Sequence, residues 1–215
     1  IPVTVKCRLG VDEMDHFNDL IRFVDTVADA GCKVFIIHAR KAWLSGLSPR
    51  ENREIPPLQY NRVYALKDRY PEFTIVINGG ITRIDQAAAH LERVDGVMVG
   101  REAYQNPWSL IEVDHVLFGD TPTYPSRLDV LEAYKTYMRD ELEKGVPLKR
   151  LARHLLGLFQ GEPGARTWRR ALSEAAFRSG ADLTAIEAAQ NSLDTTRREH
   201  AAVSAASNQG MGLRL

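Results

Sequence analysis

The sequence predicts an α/β fold with a parallel sheet, followed by an all-helical segment. In the first part of the chain, short runs rich in Val and Ile alternate with amphipathic runs, which is typical of βαβ units. Later the hydrophobic period is helical throughout. We therefore expect an α/β part over residues 1–119, a linker over 120–125, a helical part over 126–200 and a disordered tail over 201–215.

The α/β part contains four predicted strands separated by three predicted helices. The strands are "PVTVK" (2–6), "KVFIIH" (33–38), "TIVING" (74–79) and "GVMVG" (96–100). The helices are the amphipathic runs 16–31, 60–71 and 83–94. The linker follows from the Pro, Thr and Ser content of "DTPTYPS", and the tail from the low complexity of "AAVSAASNQGMGLRL".

Four consecutive βα units are half of a TIM (β/α)8 barrel, which has eight strands and typically about 250 residues. The chain also begins inside a strand and without Met. We therefore expect the C-terminal half of a TIM barrel followed by an all-α helical domain, as the C-terminal portion of a longer protein. A complete open sheet of four or five strands is the alternative.

Composition indicates an ordinary globular protein, with 44% apolar and 26% charged residues. No run approaches the length of a membrane span, roughly 18 apolar residues, and no signal peptide is evident, so we expect a cytoplasmic protein that does not bind membranes. Cys7 and Cys32 are too few for a disulfide framework or a metal site. No metal and no protein partner are expected.

Basic residues are concentrated in two places, although the chain as a whole is neutral, with 28 basic and 28 acidic residues. Residues 145–170 contain six Lys or Arg residues and one acidic residue, and residues 40–62 contain five against two. Local patches of this kind indicate an anionic partner. Solvated helix faces are the alternative on charge alone.

Polar and glycine residues follow each predicted strand, at the edge of the sheet where barrels place their active sites. Lys6 and Arg8 follow the first strand, and His38 and Arg40 the second; "NGG" (78–80) and "GRE" (100–102) end the last two. Side-chain alternation places Cys7 on the opposite face from Lys6, as a packed thiol. It brings together Lys6, His38 and Asn78 at one end of the sheet.

The glycine turns predict a phosphate site. "NGGI" and "VGRE" leave backbone N–H groups uncovered, and Arg101 adds a charge able to bind phosphate oxygens. In barrels, the loops after the last two strands are a common phosphate site. Lys6 would suit a flavin, whose reduced ring carries negative charge near N1. Glycines required only by turn geometry are the alternative.

Several longer motifs make the chain resemble a known family. "VTVKCRLG", "FIIHARKAWLSGLSPRENREIPPL", "INGGI", "DGVMVGREAYQNPW" and "HLLGLFQGEPGARTWRR" resemble the tRNA-dihydrouridine synthases, subfamily A, over residues 1–189. The resemblance implies reduction of tRNA D-loop uridines, at about position 20/20a, to 5,6-dihydrouridine with FMN and NADPH. It also implies a TIM barrel followed by a helical domain that helps to hold tRNA.

The resemblance assigns residues by position. It implies that FMN contacts Lys6 and His38. It also implies that FMN is bound, chiefly at its phosphate, by five further residues: Asn78, Gly79, Gly80, Gly100 and Arg101. It suggests that tRNA contacts Arg50 and Arg53 in the loop after the second strand, and Arg166 and Arg169 in the helical part. Trp43 in that loop either stacks on a base or packs the loop; both interpretations stay open.

No catalytic residue is expected in this chain. In the family the proton donor is a cysteine on a loop in the first half of the barrel, and neither Cys7 nor Cys32 matches its position. We therefore expect the chain to be inactive by itself, and the full-length protein to be active.

Three other functions are alternatives to this one. Another FMN barrel oxidoreductase with a small-molecule substrate would not explain the Arg-rich helical part. A non-catalytic RNA-binding remnant is the second alternative. A phosphate-binding lyase or isomerase is disfavoured because no pair of carboxylates follows the strands.

Overall fold

The computed structural model of the chain describes residues 1–121 and 124–211. It divides the chain into two compact units. Ile1–Glu102 and Val116–Gly119 form one, the sheet unit, and Ala103–His115 with the chain from Asp120 onward form the other, the helical unit. Within the described residues, no helix is long and apolar enough to cross a membrane.

The sheet unit is built on four parallel strands in the order β1-β2-β3-β4. The strands are β1 (Val5–Arg8), β2 (Val34–His38), β3 (Thr74–Asn78) and β4 (Gly96–Met98). The helices are α1 (Phe17–Asp29), α2 (Tyr60–Arg69), α3 (Ile84–Leu91) and α4 (Arg101–Gln105), of which α4 continues into the helical unit. The predicted α/β arrangement with a parallel sheet is confirmed; its interpretation as half of a TIM barrel stays a prediction.

The two faces of the sheet differ in burial. Phe35, Ile37, Ile75 and Ile77 are fully buried and form the core with the apolar sides of α1, α2 and α3. Each such side chain contributes about 1.5–3 kcal/mol by its removal from water. The opposite face stays partly exposed along β2 and β3, since the alternate residues of both strands are only half-buried or exposed. The polar strand-end residues lie on this second face.

Local sequence explains how the helices begin and end. α1 buries Leu20, Val24 and Ala28, which are four residues apart and therefore share one side of the helix. Gly31 follows its end with φ +96, a conformation that glycine adopts without strain. At the start of α3, the Gln86 side chain accepts the N–H of Arg83 at 3.2 Å, which satisfies a donor that the helix leaves free.

The helical unit has its own core. After the end of α4 come α5 (Arg127–Glu143), α6 (Leu148–Ala152), α7 (Ala165–Ala176) and α8 (Thr184–Met211). Trp168 lies at its centre, edge-on to Phe159 at 4.9 Å between ring centroids, and its indole N–H donates to the Leu155 carbonyl at 2.9 Å. A fully buried indole is stable only with such a partner, which fixes α7 against the preceding turn.

Two predicted segments fall partly outside the described residues. In the linker 120–125, residues 122 and 123 are not described. Of the predicted tail 201–215, residues 201–211 belong to α8, and residues 212–215 lie outside the described part. The segment 201–206 contains four alanines, and alanine has the highest helix propensity of all residues.

Candidate functional site

Strand register brings the strand-end side chains into one row across the sheet. Arg8 pairs with His38, His38 with Asn78, and Asn78 with Met98. Lys6 pairs with Ile36, one layer below this row on the same face. β1 extends to Arg8 and not only to Lys6, so Arg8 occupies the strand-end position beside His38. His38 and Asn78 therefore meet as predicted, with Lys6 beneath them.

The row has a strongly positive environment. Burial and four neighbouring cations lower the pKa of His38 from 6.5 to about 4; in order of effect the cations are Arg8, Lys6, Arg40 and Arg101. The imidazole is therefore neutral at pH 7, with one ring N–H donor and one acceptor. Several cations around a neutral imidazole favour an anionic ligand.

Glycine is required at two positions of the "NGGI" turn. Gly79 has φ +119, and a Cβ there would lie 2.8 Å from His38 Cδ2. Gly80 has φ +70, and a Cβ would lie 2.6 Å from Leu58 Cδ1. The His38 ring thus packs directly against the turn. Turn geometry and close packing account for both glycines, as the alternative interpretation of this motif proposed.

Gly100 differs from Gly79 and Gly80 in the space around it. Its φ is not positive, and a Cβ built there meets nothing within 4 Å, so neither turn geometry nor packing requires glycine. Among the described residues, no acceptor takes the backbone N–H of Gly100 or of Arg101, the first residue of α4. The "VGRE" turn therefore has uncovered donors and open space beside a guanidinium. This arrangement suits a phosphate group.

Two neighbouring groups fix the turn that follows β3. The Asn78 amide donates through Nδ2 to the Met98 carbonyl at 2.7 Å, which leaves Oδ1 as an acceptor. The Tyr60 hydroxyl donates to the Gly79 carbonyl at 2.7 Å. Tyr60 was not predicted as a site residue, since a tyrosine that begins a helix has no distinguishing pattern.

Arg101 is not free in this structure. Its Nη1 lies 2.8 Å from Oε1 of Glu54, and Arg50 Nε lies 3.7 Å from the same oxygen. About half of each side chain of the Arg101–Glu54 pair is exposed, and exposed pairs contribute only about 0–1 kcal/mol. A phosphate would therefore compete with Glu54 for Arg101 at little cost.

The long segment between β2 and α2, the 39–57 loop, is held by two arginines that its own sequence pattern does not indicate as contacts of the loop. Arg8 donates through Nη1 to the carbonyls of Lys41 at 2.8 Å and Asn52 at 2.7 Å. Arg40 donates to the carbonyls of Glu54, at 3.1 Å, and Pro56. The two arginines noted at the strand ends therefore fasten the loop to the sheet.

Trp43 is held within this loop. The Asn52 side chain accepts the Trp43 N–H at 2.8 Å and donates to its carbonyl at 2.7 Å. Lys41 Nζ lies 4.0 Å from the centre of the indole ring. One face of the indole is therefore covered by a cation, which supports the packing interpretation.

The residues predicted to contact nucleic acid are exposed. The Arg50 side chain is 84% exposed, and Arg53 is also exposed, in a 3-10 turn of the 39–57 loop. In the helical unit, Arg166 and Arg169 lie on α7 away from its buried residue Trp168. Within the described part of the chain, neither Arg166 nor Arg169 pairs with a carboxylate. Unpaired cations on one helix face are available to phosphates.

Neither cysteine lies in the strand-end row. Burial raises the pKa of the Cys7 thiol to about 11, and Cys7 lies on the opposite face from the strand-end row. The Cys32 sulfur lies 3.5 Å from the Val34 carbonyl, at the opposite end of β2 from His38. In the described residues, no three His, Cys, Asp or Glu side chains are grouped to hold a metal ion.

Comparison with known proteins adds an independent finding. The family model for "Dihydrouridine synthase (Dus)" matches residues 1–194. The tRNA-dihydrouridine(20/20a) synthase of Shewanella oneidensis is 57% identical over 195 residues, which cover 91% of this chain and 58% of that protein. Its counterparts in Escherichia coli K12 and Yersinia pestis are 56% and 53% identical, over 87% and 88% of this chain and 54% and 55% of their own lengths. The chain thus spans little more than half the length of these relatives.

Proposed function

The chain belongs to the dihydrouridine synthase family, and on that premise we propose that it is the cofactor-binding and tRNA-binding part of a tRNA-dihydrouridine synthase. The proposed reaction is the reduction of D-loop uridines, at about position 20/20a, to 5,6-dihydrouridine in the cytoplasm. The observation that carries the proposal is the row Arg8–His38–Asn78, with its positive surroundings and two glycine turns.

The proposal includes a role for each unit. Four sequentially ordered parallel βα units, with one face of the sheet left partly exposed, support half of a TIM barrel. The exposed arginines of α7 support a tRNA-binding role for the helical unit. A complete open sheet would instead be expected to bury both faces of its parallel strands.

The residues present fit FMN. Its phosphate would be held at the two glycine turns by Gly79, Gly80, Gly100 and the Arg101 guanidinium, with Glu54 displaced. The open space beside Gly100 and the free N–H groups there are what a phosphate requires.

Residues on the exposed face of the sheet would hold the isoalloxazine ring. There His38 offers one ring donor and one acceptor, and Asn78 offers the amide oxygen that the Met98 carbonyl does not use. Partial desolvation and Arg8 lower the pKa of Lys6, which lies beneath the row. In its charged form the ammonium group of Lys6 would stabilise negative charge on the ring.

When bound, FMN would supply hydride to C6 of the uracil, with NADPH as the reductant, and C5 would receive a proton. This chain's residues would bind and orient the reactants, and neither Cys7 nor Cys32 would supply the proton. The half-buried Cys7 thiol lies on the core side of the sheet, so the sheet would separate it from a substrate on the other face. Proton delivery is therefore assigned to a residue outside this chain.

The exposed arginines would hold tRNA while the target uridine is flipped out of its stack, which costs a few kcal/mol. Arg50 and Arg53 on the 39–57 loop and Arg166 and Arg169 on α7 would bind backbone phosphates. Binding of this kind weakens steeply with salt, because each contact releases counterions.

The test is a pair of binding measurements on the purified chain. Flavin absorbance that co-purifies with the chain, or is retained after FMN is added, together with salt-dependent tRNA binding, is the expected result. Flavin without tRNA binding would favour an FMN oxidoreductase with a small-molecule substrate. Binding of tRNA without flavin would favour a non-catalytic RNA-binding protein, and binding of neither would contradict the proposal for this chain.

A further inference from the structure

The Tyr60 side chain contacts the glycine turn at which the phosphate is proposed to bind. Tyr60 is the first residue of α2, and the preceding residue, Gln59, donates its N–H to the Ala39 carbonyl at 2.8 Å. The Tyr60 hydroxyl donates to the carbonyl of Gly79. Because burial raises the pKa of Tyr60, the hydroxyl stays protonated and remains a donor at neutral pH.

The Tyr60 ring is itself held in place. It packs edge-on against the buried His90 ring, with 4.5 Å between centroids. The Tyr64 hydroxyl lies 2.6 Å from Nδ1 of the same imidazole. Two tyrosines one helical turn apart therefore contact one histidine, and only Tyr60 contacts the glycine turn. Tyr64 is a matched control for any change at Tyr60.

The carbonyl that Tyr60 binds belongs to the Gly79–Gly80 peptide group, which has little intrinsic preference for one orientation. Gly79 and Gly80 both have positive φ, and neither has a Cβ to restrict rotation of the peptide between them. The peptide is trans, so the N–H of Gly80 points away from the Gly79 carbonyl. Among the residues described, no acceptor takes this N–H. The Tyr60 hydrogen bond thus determines the direction of a free donor.

We propose that Tyr60 is a positioning residue, which aims the Gly80 N–H at the phosphate of the flavin by fixing the Gly79 carbonyl. The inference rests on the proposed function, because it needs a phosphate at this turn. Loss of the hydroxyl leaves the Gly79–Gly80 peptide free to rotate, which weakens the contact to phosphate and leaves contacts to the flavin ring unchanged.

The test compares FMN with riboflavin, which lacks the phosphate, by fluorescence titration of the unmodified chain, Tyr60→Phe and Tyr64→Phe. A lost hydrogen bond to a charged ligand corresponds to about a tenfold change in affinity. We therefore expect Tyr60→Phe to bind FMN about tenfold more weakly with riboflavin unchanged, and Tyr64→Phe to bind both as the unmodified chain does. Thermal unfolding of each variant confirms that it is folded.

Equal weakening of both flavins by Tyr60→Phe would overturn the inference, because it would indicate a general structural role. An unchanged FMN affinity would overturn it also. If the unmodified chain binds FMN no better than riboflavin, the proposed phosphate site fails first. The backbone amide resonance of Gly80 in the ligand-free chain is a second readout: Tyr60→Phe should shift it and Tyr64→Phe should not, and an unshifted resonance would contradict the inference.

Discussion

Replacement of Gly79 by alanine is the change with the clearest expected consequence. At φ +119 an L-residue is strained by about 1–2 kcal/mol. The new Cβ would also lie 2.8 Å from His38 Cδ2, 3.0 Å from His38 Nε2 and 3.1 Å from Leu58 Cδ2. Overpacking of this kind costs about 1–3 kcal/mol. We therefore expect Gly79→Ala to lower the free energy of unfolding by about 2–5 kcal/mol, and to move the His38 ring.

Gly100→Ala is the matched control for this prediction. Its Cβ meets no protein atom and its φ is not positive, so the free energy of unfolding should change by less than about 0.5 kcal/mol. Urea unfolding followed by circular dichroism measures both variants. Equal stability of Gly79→Ala and the unmodified chain would refute the packing of His38 against the turn, and a large loss in Gly100→Ala would refute the open space beside Gly100.

Three further predictions concern charge. Because the pKa of His38 falls to about 4 on folding, the folded state favours the neutral imidazole. The free energy of unfolding should therefore decrease as the pH falls from 6.5 towards 4. His38→Gln should lack this part of the decrease when urea midpoints are compared across that pH range. Glu54→Gln frees Arg101 from a half-exposed pair, so FMN affinity measured by fluorescence should rise up to about fivefold. Arg166→Ala and Arg169→Ala should each weaken tRNA binding and reduce the slope of log K against log salt by about 1.

Each of these three predictions has a control substitution elsewhere in the protein. His200→Gln replaces an exposed histidine of α8 and should show the same decrease as the unmodified chain. Glu51→Gln changes a carboxylate that contacts Ser48 and not Arg101, so FMN affinity should not rise. Arg22→Ala removes a cation of α1 that is paired with Asp19, and tRNA binding should be unaffected. A control that behaves like its test variant would contradict the corresponding prediction.

The strands were predictable because apolar residues on the core face leave a local signal. β2 and β3 lie within one residue of their predicted bounds, and β3 ends before Gly79, where φ becomes positive. The first strand was misplaced, since it extends to Arg8. Polar residues continue a strand when backbone pairing supports them, and the Arg8–His38 pairing has no counterpart in local hydrophobicity.

Several contacts of the site could not be predicted from the sequence. Arg101 pairs with Glu54, 47 residues away, and Arg8 binds a backbone carbonyl 44 residues away. Tyr60 also acts through a carbonyl, that of Gly79. Any residue supplies a carbonyl, so such contacts leave no residue-type pattern to detect. They depend on the tertiary fold that brings the 39–57 loop and the glycine turns together.

The most direct test of the proposed phosphate site is competition between inorganic phosphate and FMN for the purified chain. The chain should bind FMN more tightly than riboflavin, phosphate should displace FMN, and Arg101→Ala should reduce the preference for FMN over riboflavin. Equal binding of the two flavins, with no effect of phosphate, would contradict a phosphate site at the "NGGI" and "VGRE" turns.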